Sequence, residues 1–152
     1  MTALEQHSVT AAACGAAHTC VATADGKVFA FGDGTVGQLG NGAVHGSLLP
    51  VEVAGALQNE KALQVACGHA HSAAVTIGGR LYTWGDGDNG QLGHADGATE
   101  RKTVPAQIRG LPSGLRVLSV ACGAFFTAAA SEDGYLRNLT NLNLPLPPHD
   151  LI

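Results

Sequence analysis

The sequence predicts an all-β chain built from propeller-type blades, each of four short antiparallel strands, in an incomplete ring of two full repeats plus part of a third. Three observations carry this. A block containing Cys67-Gly68, His71-Ser72, Gly79-Arg80-Leu81-Tyr82-Thr83-Trp84-Gly85 and Gly90-Gln91-Leu92-Gly93 occurs 53 positions earlier as Cys14-Gly15, His18-Thr19, Asp25-Gly26, Phe29, Phe31-Gly32 and Gly37-Gln38-Leu39-Gly40. It returns 55 positions later as Cys122-Gly123, Thr127 and Asp133-Gly134-Tyr135-Leu136, and then fails. Such a fixed period marks a repeat architecture. Within each period, four short apolar runs are punctuated by Gly and Pro, the composition of a propeller blade. The 21 glycines also leave little room for long helices.

In chain order, Ser8 to Cys14 is a first apolar run and Thr19 to Thr23 a second, joined by Asp25-Gly26, a tight hairpin signal, to Val28 to Phe31. Asp33 to Gly46 is a Gly-rich loop. Pro50 to Val53 reads as a fourth strand, with Pro at the first position that a ladder tolerates. The second copy repeats the plan with Leu63 to Cys67, Ser72 to Thr76, a Gly78-Gly79 turn, Leu81 to Trp84 and Pro105 to Ile108; its loop, Asp86 to Val104, is two residues longer. Surface loops absorb such insertions at small entropic expense. The third copy starts at Val117 and ends at Leu136. Where Phe31-Gly32 and Trp84-Gly85 predict an aromatic followed by Gly, it has Leu139-Thr140. The repeats are thus placed at about 9–53, 62–108 and 117–136. Residues 137–152, with Pro145, Pro147 and Pro148, read as a Pro/Leu/Asn-rich flexible tail. Pro145 and Pro148 have the spacing of a ligand for a Pro-binding domain, without a flanking Arg.

The 152 residues carry a formal charge of −4, and no run of like charge exceeds Arg101-Lys102. A nucleic-acid reader usually shows a basic patch or tail, so no nucleic-acid partner is expected. The N-terminal segment does not read as a signal peptide, and no apolar stretch approaches the roughly 20 residues of a membrane helix. Asn138-Leu139-Thr140 fits a glycosylation sequon, which matters only on a secretory route. The expectation is a cytoplasmic or nuclear protein without membrane contact.

The elements Cys67-Gly68-x-x-His71-Ser72, Gly79-x-Leu81-Tyr82-x-Trp84-Gly85 and Gly90-Gln91-Leu92-Gly93, in that order within the period, make the chain resemble the regulator of chromosome condensation repeat family. The resemblance covers Val9 to Leu136 and implies a seven-bladed propeller. Seven blades of this period need roughly 350 to 385 residues. The chain is therefore expected to be a fragment of a longer propeller, or to need another chain over its open faces, because each repeat in such an array buries its apolar face only against a neighbour.

Several motifs invite chemical readings. Gly32-Asp33-Gly34-Thr35-Val36-Gly37 and Gly85-Asp86-Gly87-Asp88-Asn89-Gly90 satisfy a dinucleotide fingerprint, but no helix can open on Gly37-Gln38-Leu39-Gly40-Asn41-Gly42 to meet a pyrophosphate. Asp86, Asp88 and Asn89 start like a calcium loop, yet its fifth and twelfth positions hold Gly90 and Gly97. Cys14, Cys67 and Cys122 share one register position and read as small packed residues, with Cys20 a free thiol; no paired Cys/His spacing suggests zinc. His18 and His71 fall where the third copy has Phe126, so they read as packed residues whose imidazole bonds to backbone, and Thr19, Ser72 and Thr127 as structural hydroxyls. No metal, cofactor or catalytic residue is expected.

The internal comparison sorts the remainder. Positions that recur hold the blades together: Cys14, Gly15, His18, Gly32, Gly37, Gly40, Cys67, Gly68, His71, Trp84, Gly85, Gly90, Gly93, Cys122, Gly123 and Gly134. A ligand must use positions that differ, and His45, Asp88, His94, Asp96, Glu100, Arg101 and Lys102 lie in the variable loops. These are the candidate partner-binding residues. The resulting expectation is a non-catalytic protein-interaction module. The resemblance implies two alternatives: nucleotide exchange on a small GTPase, the activity of the family's founding protein, or the partner-binding propeller of a HECT-type ubiquitin ligase. It also brings in plant ultraviolet-B photoreception, which depends on clustered tryptophans; Trp84 is the sole Trp, and this argues against that role.

Overall fold

In the computed structural model, which describes residues 4–94 and 100–141, the short apolar runs become eleven strands in three antiparallel sheets. The first sheet is β1 (Val9–Cys14), β2 (His18–Thr23), β3 (Val28–Gly32) and β4 (Ser47–Glu52), paired in that order; the second repeats it with β5 (Ala62–Cys67), β6 (His71–Thr76), β7 (Leu81–Gly85) and β8 (Lys102–Gln107). The third holds β9 (Val117–Cys122), β10 (Thr127–Ser131) and β11 (Leu136–Asn138). Apart from two short 3-10 turns, at Gly55–Asn59 and Leu139–Asn141, no helix occurs among the described residues, as the glycine content predicts.

The hairpins form where the turn residues stand. Gly26 has φ +87°, a conformation that residues with a Cβ rarely adopt, and its N–H closes the β2–β3 turn on Thr23 O at 2.8 Å. The outer strands start earlier than expected. Pro50 lies inside β4 and Pro105 inside β8, each next to a register irregularity, Ala30 pairing Val51 and Gly32 pairing Ser47 in the first sheet. The missing N–H is tolerated because β4 and β8 are edge strands interrupted by a bulge.

The third repeat also runs further than expected. β11 carries it through Asn138, and Leu139 is buried, so the expected boundary after Leu136 falls inside a strand. Residues 142–152, with Pro145, Pro147 and Pro148, lie outside the described residues.

The sheets stack face to face in chain order, β5 packing on β1 and β2, and β9 on β5 and β6. Each junction encloses its own core. Cys20, Ala22, Val28, Ala30, Leu39, Val53, Val65, Ala74, Tyr82 and Trp84 fill the first, and Ala66, Val75, Leu81, Ile108, Val117, Val120, Ala129 and Leu139 the second. The many alanines let the sheets approach closely. At the second junction Gln64 adds a backbone-like clamp, its amide nitrogen donating to Val120 O and its amide oxygen accepting from Val120 N, both at 3.1 Å.

Coverage decides burial. Every residue of β6 and β7, in the middle sheet, is buried. In the third sheet β10 alternates buried with half-buried residues, and Phe125 and Phe126, in the turn before it, are about half exposed, at 51% and 48%. Open faces are what an arc of blades must show.

Candidate functional site

The recurring residues assemble a relay that crosses each junction. His18 of the first sheet places Nε2 2.8 Å from Ser72 Oγ of the second, and Ser72 Oγ donates to Gln38 O at 2.9 Å. Trp84 Nε1 donates to the same carbonyl at 2.9 Å. At the next junction His71 Nε2 lies 2.9 Å from Thr127 Oγ1, which donates to Gln91 O at 2.8 Å. The expectation that these imidazoles bond to backbone is corrected: their partner is a hydroxyl on the following sheet. Each ring also fills the space over a glycine, since a Cβ on Gly68 would stand 2.0 Å from His71 Cε1; at Gly123 the ring of Phe126 takes that space.

The carbonyl at the centre is held by the Gly-Gln-Leu-Gly loop. Gln38 Oε1 accepts from Val36 N at 3.0 Å while Nε2 donates to Asp33 Oδ2 at 2.9 Å. Gln91 repeats this with Asn89 N at 2.8 Å and Asp86 Oδ2 at 2.9 Å. The glycines that satisfy a dinucleotide fingerprint therefore form successive tight turns, Gly37 N bonding Gly34 O and Gly40 N bonding Gly37 O. Among the described residues no helix N-terminus follows them.

A His–Ser pair at 2.8 Å has the spacing of a nucleophile and its base, but the protons run the wrong way. Because Ser72 gives its proton to Gln38 O, His18 must donate through Nε2 and cannot accept the serine's proton there. Both side chains are buried, and His18 Nδ1, where an orienting acid would sit, has no hydrogen-bond partner. Burial, with the His18 ring nearby, lowers the pKa of His71 to about 4 and keeps it neutral.

Of the variable residues, Asp88, Glu100 and Arg101 come together. With Asp86 of the same repeat and Val36 of the preceding one they line an open groove of about 510 Å³. Three carboxylates face one guanidinium there. Asp88, Glu100 and Arg101 are exposed, whereas Asp86 is tied back by Gln91. Neither Val36 nor Asp86 is among the partner-binding candidates, since Asp86 recurs as Asp33 and Val36 stands beside the recurring Gly37.

The other candidates lie apart. His45 is exposed on the first repeat's loop, its Nδ1 donating to Gly46 O at 3.3 Å. His94 turns inward, Nε2 lying 3.3 Å from Thr83 Oγ1. Lys102 is not a loop residue but opens β8 opposite Gly85. Asp96 lies outside the described residues.

The cysteines divide by surroundings rather than by register. Cys14 is exposed, Cys67 and Cys122 are half-buried, Cys20 is fully buried, and all four are free thiols. Burial pushes the Cys122 thiol up to about 12. Hydrogen bonding between the Cys20 and Cys67 sulfurs lowers the pKa of Cys67 and raises that of Cys20. A ring nitrogen of His18 and the sulfurs of Cys20 and Cys67 lie within 4.8 Å of one another. This grouping is invisible in linear spacing.

Comparison with known proteins agrees with the geometry. The chain is 39% identical over 137 residues to the ultraviolet-B receptor UVR8 of Arabidopsis thaliana, covering 90% of this chain and 30% of the receptor. It is 41% identical over 122 residues to the human E3 ubiquitin-protein ligase HERC2, covering 79% of this chain but 2% of the ligase. Among solved structures, human WBSCR16 superposes with a TM-score of 0.80 at 28% identity, over 88% of this chain and 33% of that one. Prp20p of Saccharomyces cerevisiae superposes with a TM-score of 0.75 at 22% identity, over 84% and 32%, and its structure is described with its binding to Gsp1p and histones. The chain thus spans about a third or less of each of these proteins. Models of the regulator of chromosome condensation (RCC1) repeat match residues 25–75 and 78–130, and a second model of that repeat matches 9–38 and 63–91. The protein belongs to the RCC1 repeat family.

Proposed function

We propose that the chain is a non-catalytic protein-interaction module whose stacked sheets hold variable loops rigidly along one rim. The observation that carries this is the division of labour between positions. Recurring polar residues are consumed inside the junctions, His18 on Ser72, Ser72 on Gln38, Gln38 on Asp33, while Asp88, Glu100 and Arg101, which do not recur, are exposed together in one groove. Conserving a scaffold while loops vary is how one fold serves several partners. A groove with three carboxylates and one guanidinium favours a partner surface with excess basic charge. A protein partner is therefore inferred, and further repeats or another chain would cover the outer faces.

Reversing charge in the groove tests this. The double substitution Asp88→Lys and Glu100→Lys should abolish retention of protein partners on immobilised chain without moving Tm, because both side chains are exposed. Retention equal to that of the unsubstituted chain would refute the assignment. Nucleotide exchange on a small GTPase is the second reading, raised by the fold shared with Prp20p. Release of labelled nucleotide from a panel of small GTPases should stay at its background rate; acceleration would replace the first reading by the second.

A further inference from the structure

Cys20, His18 and Cys67 meet at the first junction, one ligand atom from each within 4.8 Å of the others. His18 and Cys20 belong to β2 and Cys67 ends β5, so the group spans two sheets. The repeat itself supplies a comparison. At the second junction His71 and Cys122 take the places of His18 and Cys67, but Ala73 stands where Cys20 stands, and the third copy has Ala128 there. The histidine and the first cysteine recur and serve the scaffold. The second thiol is confined to one junction, at a slot that a methyl group fills elsewhere.

We propose that His18, Cys20 and Cys67 bind a single Zn²⁺ ion that ties the first sheet to the second. Two thiolates and an imidazole are a donor set suited to zinc, and soft sulfur ligands select it over hard cations. Charge favours a divalent ion, because Zn²⁺ with two thiolates is neutral, and Cys20 and Ser72 are fully buried at this junction. Binding replaces the two thiol protons, which leave to solvent, and the imidazole coordinates in its neutral form.

The surroundings supply the remainder. Ser72 Oγ, 2.8 Å from His18 Nε2 and 3.5 Å from Cys20 Sγ, is a neutral oxygen able to take the fourth tetrahedral position. Cys67, only half-buried, opens a way in.

The test titrates the reduced, metal-stripped chain with Zn²⁺, using Co²⁺ as a spectroscopic probe. One equivalent should bind, with the ligand-field bands of a tetrahedral thiolate site, and Tm should rise. Cys20→Ala should weaken binding by about 100-fold or more, since losing even an outer-shell partner of a ligand costs about 10–100-fold, and remove the zinc-dependent rise in Tm. It should still fold, since Ala is the residue the other two copies hold there. Cys122→Ala should bind as the unsubstituted chain does. Failure of the reduced chain to take up zinc, or uptake and stabilisation unchanged in Cys20→Ala, would overturn the proposal.

Discussion

His18 Nε2 lies 2.8 Å from Ser72 Oγ, and this contact joins one sheet to the next through a hydroxyl whose own proton goes to Gln38 O. Removing the hydroxyl strands a buried donor on His18 and takes one of two donors from the Gln38 carbonyl. Ser72→Ala should therefore destabilise by roughly 1–3 kcal/mol, the usual penalty for an unsatisfied buried polar group. Ser72→Thr, which imports the residue of the third copy, should stay within about 1 kcal/mol. Urea unfolding separates the two, and equal losses would show that volume rather than the relay decides.

Trp84 and Leu139 occupy the same slot in successive repeats. Trp84 is fully buried against Gly40, and a Cβ on Gly93 would stand 2.5 Å from Leu139 Cβ. Trp84→Leu should leave the fold intact but destabilise it by about 3 kcal/mol, combining lost buried area with the lost bond to Gln38 O. As the sole Trp, Trp84 also reports on the first junction. Its emission should be blue-shifted in the native chain and move red in a single transition as that junction opens.

Two glycines with similar dihedrals should respond differently to a methyl group. Gly40 has φ +68°, and a Cβ there would stand 2.7 Å from Trp84 Nε1; Gly134 has φ +85° with nothing within 4 Å. Gly134→Ala should lower stability by about 1 kcal/mol through added backbone strain. Gly40→Ala adds a collision with a buried ring and should lose roughly 2–4 kcal/mol. Thermal melts of both variants check the difference.

The pH dependence has a defined sign. His71 is held neutral with a pKa of about 4, below the usual histidine value of about 6.5. Between those values the unfolded chain binds a proton that the native chain does not, so this contribution is complete above pH 6.5 and is lost as pH falls towards 4. It amounts to as much as about 3 kcal/mol. Asp25, Asp33 and Asp133, whose hydrogen bonds lower their pKa values, act below that window. His71→Phe, importing the residue of the third copy, should flatten denaturation midpoints measured between pH 4 and 6.5.

Most of the architecture was legible because it repeats. Asp25-Gly26 marked a hairpin, and the three copies of Cys-Gly fixed the register of β1, β5 and β9. What escaped depended on neighbours in space. Pro50 and Pro105 lie mid-strand because their strands are edges with bulges, which periodicity along one strand does not show. Leu139 looked like the end of the pattern, yet it is the third repeat's occupant of the tryptophan slot. The histidines' partners stand more than fifty residues away. The grouping of Cys20 with Cys67 had one sequence signal, the mismatch between Cys20 and Ala73 at an otherwise scaffold position, and linear metal spacing could not convert it into a site. Asp88, Glu100 and Arg101 could be picked as variable, but only stacking brings Val36 of another repeat beside them.

Native-state hydrogen exchange tests most directly whether the chain is an arc of stacked sheets, covered in the middle and open at both ends. The amides of β6 and β7, in the sheet with neighbours on both faces, should exchange slowest, and those of β1 and of β9 to β11 markedly faster, since local opening follows coverage. Equal protection across all three sheets, exchanging only by global unfolding, would contradict it.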